Sequence, residues 1–143
     1  MSRSNIKKIL KRYKNVAVVG ISRHLEKDSH QVGEYLKAHN FRIIPVNPCA
    51  DDILGEKSYE SLLDIPPEIQ KTIEVVNIFR PSQEVPQIIE QAIRIRELYG
   101  VLQAIWLQLG IFNEVAVNAA KKAGLMVITN KCMMVEHNRI FSD

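Results

Sequence analysis

Five short apolar runs alternate with amphipathic segments along the chain, and this alternation constrains the fold more than any other feature. The first run, residues 16–20, is rich in valine and shows no polar alternation. That pattern is typical of a strand buried on both faces, as in a parallel sheet. Apolar residues between the runs recur every three or four positions, which predicts helices. Strands that alternate with helices predict an α/β fold with a doubly wound five-stranded parallel sheet.

The boundaries of the elements follow from the same patterns. The predicted strands cover residues 16–20, 41–48, 73–79, 102–108 and 125–129, and the predicted helices cover residues 4–13, 29–39, 58–64, 82–98 and 113–123. Pro45 lacks an amide donor, so we expect strand pairing to weaken from Pro45 onward. Ser82 and Asn113 are the predicted N-caps of the last two helices. We predict a single domain over residues 1–143, with a helix in residues 1–14 packed on it.

Composition narrows the class of protein. The 143 residues are 46% hydrophobic and 24% charged, which are ordinary globular values. The longest apolar runs fall well short of the roughly 20 residues that span a membrane. The N-terminus lacks a signal-peptide pattern, so we expect a cytoplasmic protein with reduced Cys49 and Cys132. The net charge of +3 is too small to indicate nucleic-acid binding.

The strand ends predict where a ligand would bind. Ligands of open α/β sheets lie outside the carboxyl ends of the strands, where the strand order reverses. The residues after the first strand include Gly20, Ser22, Arg23 and Lys27. A glycine turn followed by a helix, together with two cations and a hydroxyl, favours phosphate binding.

Two common phosphate-binding motifs are not present. The chain has no GxxxxGK[ST] sequence, so it has no P-loop. Its first loop reads GISRHL, with one glycine, and no carboxylate follows the second strand until Asp51. Both features disfavour NAD, although a degenerate dinucleotide site stays open.

Several segments together resemble a known family. They read VAVVGISR, FRIIPVNP, VVNIFRP, AIWLQLGI and AGLMVITNKC, and they follow successive strands in order. The chain from Val16 to His137 resembles the stand-alone coenzyme A-binding domain family, which is similar to the CoA-binding domain of the succinyl-CoA synthetase alpha subunit. The resemblance implies a Rossmann-like domain that binds coenzyme A or an acyl-CoA across the carboxyl ends of the strands.

The resemblance also implies which residues contact the ligand. The first loop would meet the phosphates, the second the adenosine, the third the nucleotide and upper pantetheine, and the last two the thiol arm. The implied cofactor-binding residues are Gly20, Ile21, Ser22, Arg23, Lys27, Val46, Asn47, Pro48, Phe79, Arg80, Pro81, Gln108, Gly110 and Asn130. No catalytic or metal-binding residue is implied, because the phosphohistidine of the synthetases comes from a following domain.

We therefore expect a CoA-binding protein without catalysis of its own, acting as a carrier, a sensor or a ligase-associated module. One alternative is an enzyme that uses a CoA thioester, with Cys132 or His137 as the reactive group. Another is a redox sensor that binds NAD(P). Core packing explains Cys132 more simply, and His137 is expected to be solvated or to fix the C-terminal segment. A homodimer or an acyl-CoA ligase is a possible partner, whereas nucleic acid and membrane are not expected.

Overall fold

The computed structural model describes residues 2–49 and 51–142. A five-stranded parallel sheet lies at its centre, with strand order β2-β1-β5-β6-β7. The strands are β1 (Asn15–Val19), β2 (Arg42–Val46), β5 (Val75–Ile78), β6 (Ala104–Leu107) and β7 (Met126–Ile128). The helices are α1 (Ser2–Arg12), α2 (Asp28–Ala38), α3 (Pro67–Gln70), α4 (Val85–Tyr99), α5 (Glu114–Lys122) and α6 (Met133–Phe141). The predicted α/β, doubly wound parallel fold is confirmed.

The helices cover both faces of the sheet. Buried side chains of α1, α2 and α6 pack with one set of strand residues, and those of α4 and α5 pack with the other set. In α1, Ile6, Ile9 and Leu10 form a buried apolar stripe, whereas the basic residues between them are exposed, so the predicted N-terminal helix packs on the domain. Trp106 is fully buried in β6 and donates its Nε1–H to the Lys131 carbonyl, 2.9 Å away.

The strand order reverses between β1 and β5. The chain passes from β1 through α2 to the edge strand β2, and then returns to β5 on the other side of β1. Crossovers therefore leave β1 and β5 in opposite directions, and a crevice opens between the carboxyl ends of these two strands. In proteins with this architecture, ligands bind in such a crevice.

The prediction for Pro45 is wrong. Pro45 pairs with Val18, and Val46 beyond it still pairs with Val19 and accepts a hydrogen bond from Gly20. The Pro45 carbonyl faces away from β1, where it accepts a hydrogen bond from the Tyr59 amide. In a strand the amide and carbonyl of one residue point the same way, so the missing donor lies on the outer edge, where proline is tolerated.

Other elements also differ from the predictions. A short hairpin, β3 (Asp52–Ile53) and β4 (Glu56–Lys57), follows β2, and the predicted helix at 58–64 is instead a 3₁₀ turn over Leu62–Asp64 followed by α3. Ser82 does not cap α4, because it begins a 3₁₀ turn (Ser82–Glu84) and its Oγ accepts the Phe112 amide at 3.0 Å. Asn113 does cap α5, since its side chain accepts the Ala116 amide at 3.0 Å.

Helix α6 is an element that the sequence patterns missed. Its inward face contains Met133 and His137. Because histidine is not an apolar residue, this face does not show the apolar periodicity from which the other helices were predicted. His137 is not solvated: only 8% of it is exposed, and its Nδ1 lies 2.9 Å from the Tyr35 hydroxyl of α2. The expectation that His137 fixes the C-terminal segment is therefore confirmed. No helix in the described part of the chain is long and apolar enough to cross a membrane.

Candidate functional site

Gly20 brings the ends of β1 and β5 together. Its φ is +91°, a region that residues with a Cβ atom rarely adopt. A Cβ atom built on Gly20 would lie 2.7 Å from Cδ of Arg80 and 2.9 Å from the Phe79 carbonyl oxygen. The glycine is thus required for close approach of the chain after β5, and it places Phe79 and Arg80 at the reversal point of the sheet.

The loop after Gly20 is held by hydrogen bonds from the start of α2. The Ser22 amide donates to Oγ of Ser29 at 2.9 Å, and the Ser22 carbonyl lies 2.8 Å from Nδ1 of His30. The Ser22 Oγ accepts the His24 amide at 3.0 Å. The Ser22 amide is therefore already bonded to α2, whereas the Ser22 hydroxyl donates to no residue that the structure describes. Ser29 and His30 were not among the predicted site residues.

Two backbone donors of the same loop have no partner among the residues that the structure describes. The amides of Ile21 and Arg23 form no hydrogen bond with any residue that the structure describes. The Ile21 side chain is fully buried and lies against Gly33 of α2, so Ile21 offers only its backbone to a ligand. The Arg23 and Lys27 side chains are exposed, and neither forms an ion pair within residues 2–49 and 51–142.

Asn47 joins the second loop to the first. Its Nδ2 donates to the Ile21 carbonyl at 2.8 Å, and its Oδ1 accepts the Cys49 amide at 2.7 Å. The Cys49 carbonyl in turn accepts a hydrogen bond of 3.3 Å from Nη1 of Arg23. Val46 is buried beneath this connection, and Pro48 is exposed beside it. The predicted residues of these two loops therefore lie together.

A cavity of about 170 Å³ opens at the ends of β1 and β2 and beside the residues that follow β5. Its floor is apolar and its rim is polar. The lining includes the predicted residues Gly20, Val46, Pro48 and Arg80, with Glu60, Ser61, Glu84, Gln87 and Gln91 around them. Phe79 and Pro81 flank Arg80 in the chain; Phe79 packs partly into the core, and Pro81 is exposed.

Arg80 is bound to Glu84 at the wall of this cavity. Its Nε donates to Oε1 at 3.0 Å and its Nη2 to Oε2 at 2.8 Å, which is a bidentate ion pair. The hydrogen bond from Arg80 lowers the pKa of Glu84, and the same bond raises the pKa of Arg80. This pair was not identified from the sequence, because Arg80 and Glu84 meet only through the turn that precedes α4.

The predicted residues after β6 and β7 form a second group. The Gly110 amide donates to Oδ1 of Asn130 at 3.0 Å, so these two loops are tied together. Gln108 is 4% exposed, and its Oε1 accepts the Met133 amide at the start of α6. Its side chain thus supports α6 and is already hydrogen-bonded. The Ser82–Phe112 hydrogen bond links this group to the chain after β5.

The two candidate reactive residues lie in different surroundings. Cys132 is half-buried and directly precedes α6, whereas His137 is on the face of α6 that packs against α2. Burial lowers the pKa of His137, and the neighbouring His39 and Lys14 lower it further. No group of three or more histidine, cysteine or acidic residues within 2–49 and 51–142 is arranged to hold a metal ion.

A larger groove lies elsewhere on the molecule. It encloses about 480 Å³ between α4 and α5, and its lining includes Ile89, Ile93 and Val115. None of the predicted site residues lines it. We favour the smaller cavity as the ligand site, because it lies at the strand ends and is lined by Gly20, which leads into the loop that contains these amides and cations.

Several known proteins are similar to this chain in sequence and in fold. A family model described as a CoA binding domain matches residues 14–138. The YneT protein of Bacillus subtilis is 38% identical over 136 residues, which cover 95% of this chain and 94% of that protein. An ADP-forming acetate–CoA ligase of Methanocaldococcus jannaschii is 30% identical over 135 residues, which cover 89% of this chain and 18% of the ligase.

The solved structures agree with the sequence matches. A hypothetical protein from Pyrococcus horikoshii OT3 has a TM-score of 0.89 and 37% sequence identity, and the match covers 99% of this chain and 94% of that protein. The predicted Rossmann-like architecture is thereby confirmed. With the family model matching most of its length, the chain belongs to the CoA binding domain family.

Proposed function

We propose that this protein binds coenzyme A or an acyl-CoA across the carboxyl ends of its parallel strands. Membership of the CoA binding domain family supports CoA as the ligand. The cavity at the reversal point between β1 and β5 supports the location of the binding site. The single observation that carries the proposal is the set of hydrogen-bond donors and cations in the first loop. There the amides of Ile21 and Arg23, which bond to no described residue, directly follow the cavity-lining Gly20, and the same loop contains the exposed cations Arg23 and Lys27.

The charges of the loops support one orientation of the proposed CoA ligand in the site. Arg23 and Lys27 have no acidic partner among the described residues, so they are the groups suited to the phosphates. The cavity combines buried apolar side chains with polar ones, among which Arg80 and Glu84 neutralise each other, and this lining suits the uncharged part of the nucleotide. Gly110 and Asn130, farther along the same edge of the sheet, are proposed to line the path of the pantetheine arm.

We propose that the bound CoA undergoes no reaction on this chain. His137 is enclosed by Tyr35, His39, Phe41 and Phe141, which keeps its ring within the α2–α6 interface. The related acetate–CoA ligase contains a matching segment as 18% of its length. A ligase-associated module is therefore the proposed role beyond simple binding, with the ligase chemistry on other domains or chains.

Isothermal titration calorimetry tests the proposal. CoA should bind the wild-type protein more tightly than NAD, and Arg23→Ala should weaken CoA binding while leaving pantetheine binding unchanged. The expected loss is about three- to tenfold, because one exposed charge-assisted contact is worth roughly 1 kcal/mol. Lys122→Ala is the matched control, since Lys122 is an exposed cation at the far end of α5.

Three results would count against the proposal. The absence of detectable heat with CoA would show that CoA is not the ligand. Tighter binding of NAD than of CoA would favour the dinucleotide alternative. Equal losses for CoA and pantetheine in Arg23→Ala would contradict the assignment of the first loop to the phosphates. Turnover of an acyl-CoA that disappears in Cys132→Ser would instead show an enzyme.

A further inference from the structure

The strand-end cavity contains a cation that is already neutralised. Arg80 is the basic residue among the described cavity-lining side chains, and Glu84 binds it through both carboxylate oxygens. Glu84 is ionised at neutral pH, as glutamate ordinarily is, and the hydrogen bond from Arg80 lowers its pKa further. The pair therefore adds hydrogen-bonding groups to the cavity wall but no net charge.

The position of the pair makes this neutralisation relevant to a ligand. The Arg80 side chain lies against Gly20, with Cδ within 2.7 Å of where a Cβ atom would be. It thus borders the loop whose amides and cations are proposed to meet phosphates. A phosphate bound beside Gly20 would therefore be a second oxyanion near the Arg80 guanidinium, in addition to the Glu84 carboxylate.

One edge of a guanidinium binds one oxyanion at a time. The Nε and Nη2 atoms of Arg80 form the planar edge that matches a carboxylate or a phosphate in two parallel hydrogen bonds. Glu84 occupies that edge. Because both side chains are about two-fifths exposed, solvent screens the pair, and exchanging one oxyanion for another costs little.

We propose that Glu84 competes internally with a ligand phosphate for Arg80 and thereby lowers the affinity of the site for phosphate-bearing ligands. The inference rests on the proposed function, because it concerns the same site. Arg80 changes partner from Glu84 to phosphate when the ligand binds, and Glu84 then becomes a solvated carboxylate. The residue thus sets how tightly the site holds CoA and does not itself bind the ligand.

Substitution of Glu84 tests the competition. In calorimetric titrations, Glu84→Gln should bind CoA about two- to fivefold more tightly than the wild type, the range that a half-exposed ion pair accounts for. Pantetheine, which has no phosphate, should bind both proteins equally. In an Arg80→Gln background the added Glu84→Gln change should raise CoA affinity no more than the loss of any one negative charge at the cavity does, since no guanidinium is left to release.

Glu60 provides the matched control. It is an exposed carboxylate that lines the same cavity and has no ion pair with a described residue. Glu60→Gln removes the same charge without releasing Arg80, so it calibrates the general electrostatic effect of losing one negative charge. The competition predicts a larger gain of CoA affinity for Glu84→Gln than for Glu60→Gln.

The possible outcomes separate the inference from the proposed function. Equal gains in Glu84→Gln and Glu60→Gln would overturn the competition and leave only a net-charge effect. Weaker CoA binding by Glu84→Gln would show that Glu84 positions Arg80 for the ligand, which also overturns it. If the wild type binds CoA, either of these two results leaves the proposed function intact. If the wild type does not bind CoA, both the competition and the proposed function are refuted.

Discussion

Replacing Gly20 with alanine isolates the contact that brings the ends of β1 and β5 together. The new Cβ atom would lie 2.9 Å from the Phe79 carbonyl oxygen and 2.7 Å from Cδ of Arg80. The carbonyl belongs to the backbone that follows a fully buried strand, so it cannot move without disturbing the sheet. We expect the steric cost to be about 1–3 kcal/mol, as for other overpacked sites.

The backbone adds a second cost. A residue with a Cβ atom at a φ of +91° loses about 1–3 kcal/mol relative to glycine. The Gly20→Ala variant should therefore lose about 2–6 kcal/mol of its free energy of unfolding, which is a large part of the 5–15 kcal/mol typical of such domains. Urea denaturation followed by circular dichroism measures this loss, and the m-value should not change.

Gly110 supplies the matched control. Its φ is +77°, but a Cβ atom built there would meet no other atom within 4 Å. Gly110→Ala should therefore show the backbone cost alone, and the difference between the two variants should equal the steric cost. If both variants lose the same free energy of unfolding, the close approach of β5 to Gly20 is refuted.

Three further predictions concern stability. The pKa of His137 is lowered by burial from 6.5, so the unfolded chain takes up a proton that the folded chain excludes, and stability should decrease as the pH falls below about 6.5. His137→Asn should flatten this dependence in thermal melts between pH 7.5 and 5, whereas exposed His24→Asn should not; an unchanged slope in His137→Asn would contradict the assignment. Gln108→Leu should cost about 1–3 kcal/mol in urea melts, because it leaves the buried Met133 amide without its acceptor; wild-type stability of the leucine variant would argue against this role. Asn113→Ala should lose about 1 kcal/mol with its helix cap, and Asn113→Ser should restore most of it; equal thermal stability of the two variants would count against the cap.

The fold was predictable because its main determinants are local. Valine-rich runs such as residues 16–20 have the composition of strands buried on both faces, and the helices between them have clear apolar stripes. Helix α6 escaped prediction because its buried face contains His137, whose place in the core depends on Tyr35, a residue more than one hundred positions away. The effect of Pro45 depended on which edge of β2 faces outward, and that is a property of the whole sheet.

The candidate site was predictable in position but not in detail. The rule that ligands lie at the strand ends, together with the resemblance, identified the loops that contain Gly20, Asn47 and Arg80. The partners of those residues are set by tertiary structure: Ser29 occupies the Ser22 amide, and Gln108 is committed to α6. Residue type and spacing could not show which polar groups remain free for a ligand.

The most direct test of the account is a nuclear magnetic resonance titration of the ¹⁵N-labelled protein with CoA. Amide shifts should be confined to the loops at the carboxyl ends of the strands and be largest around Gly20–Arg23, with further shifts near Asn47, Arg80 and Gly110. Shifts centred on Val115 and the groove between α4 and α5, or no shifts at saturating CoA, would contradict the account.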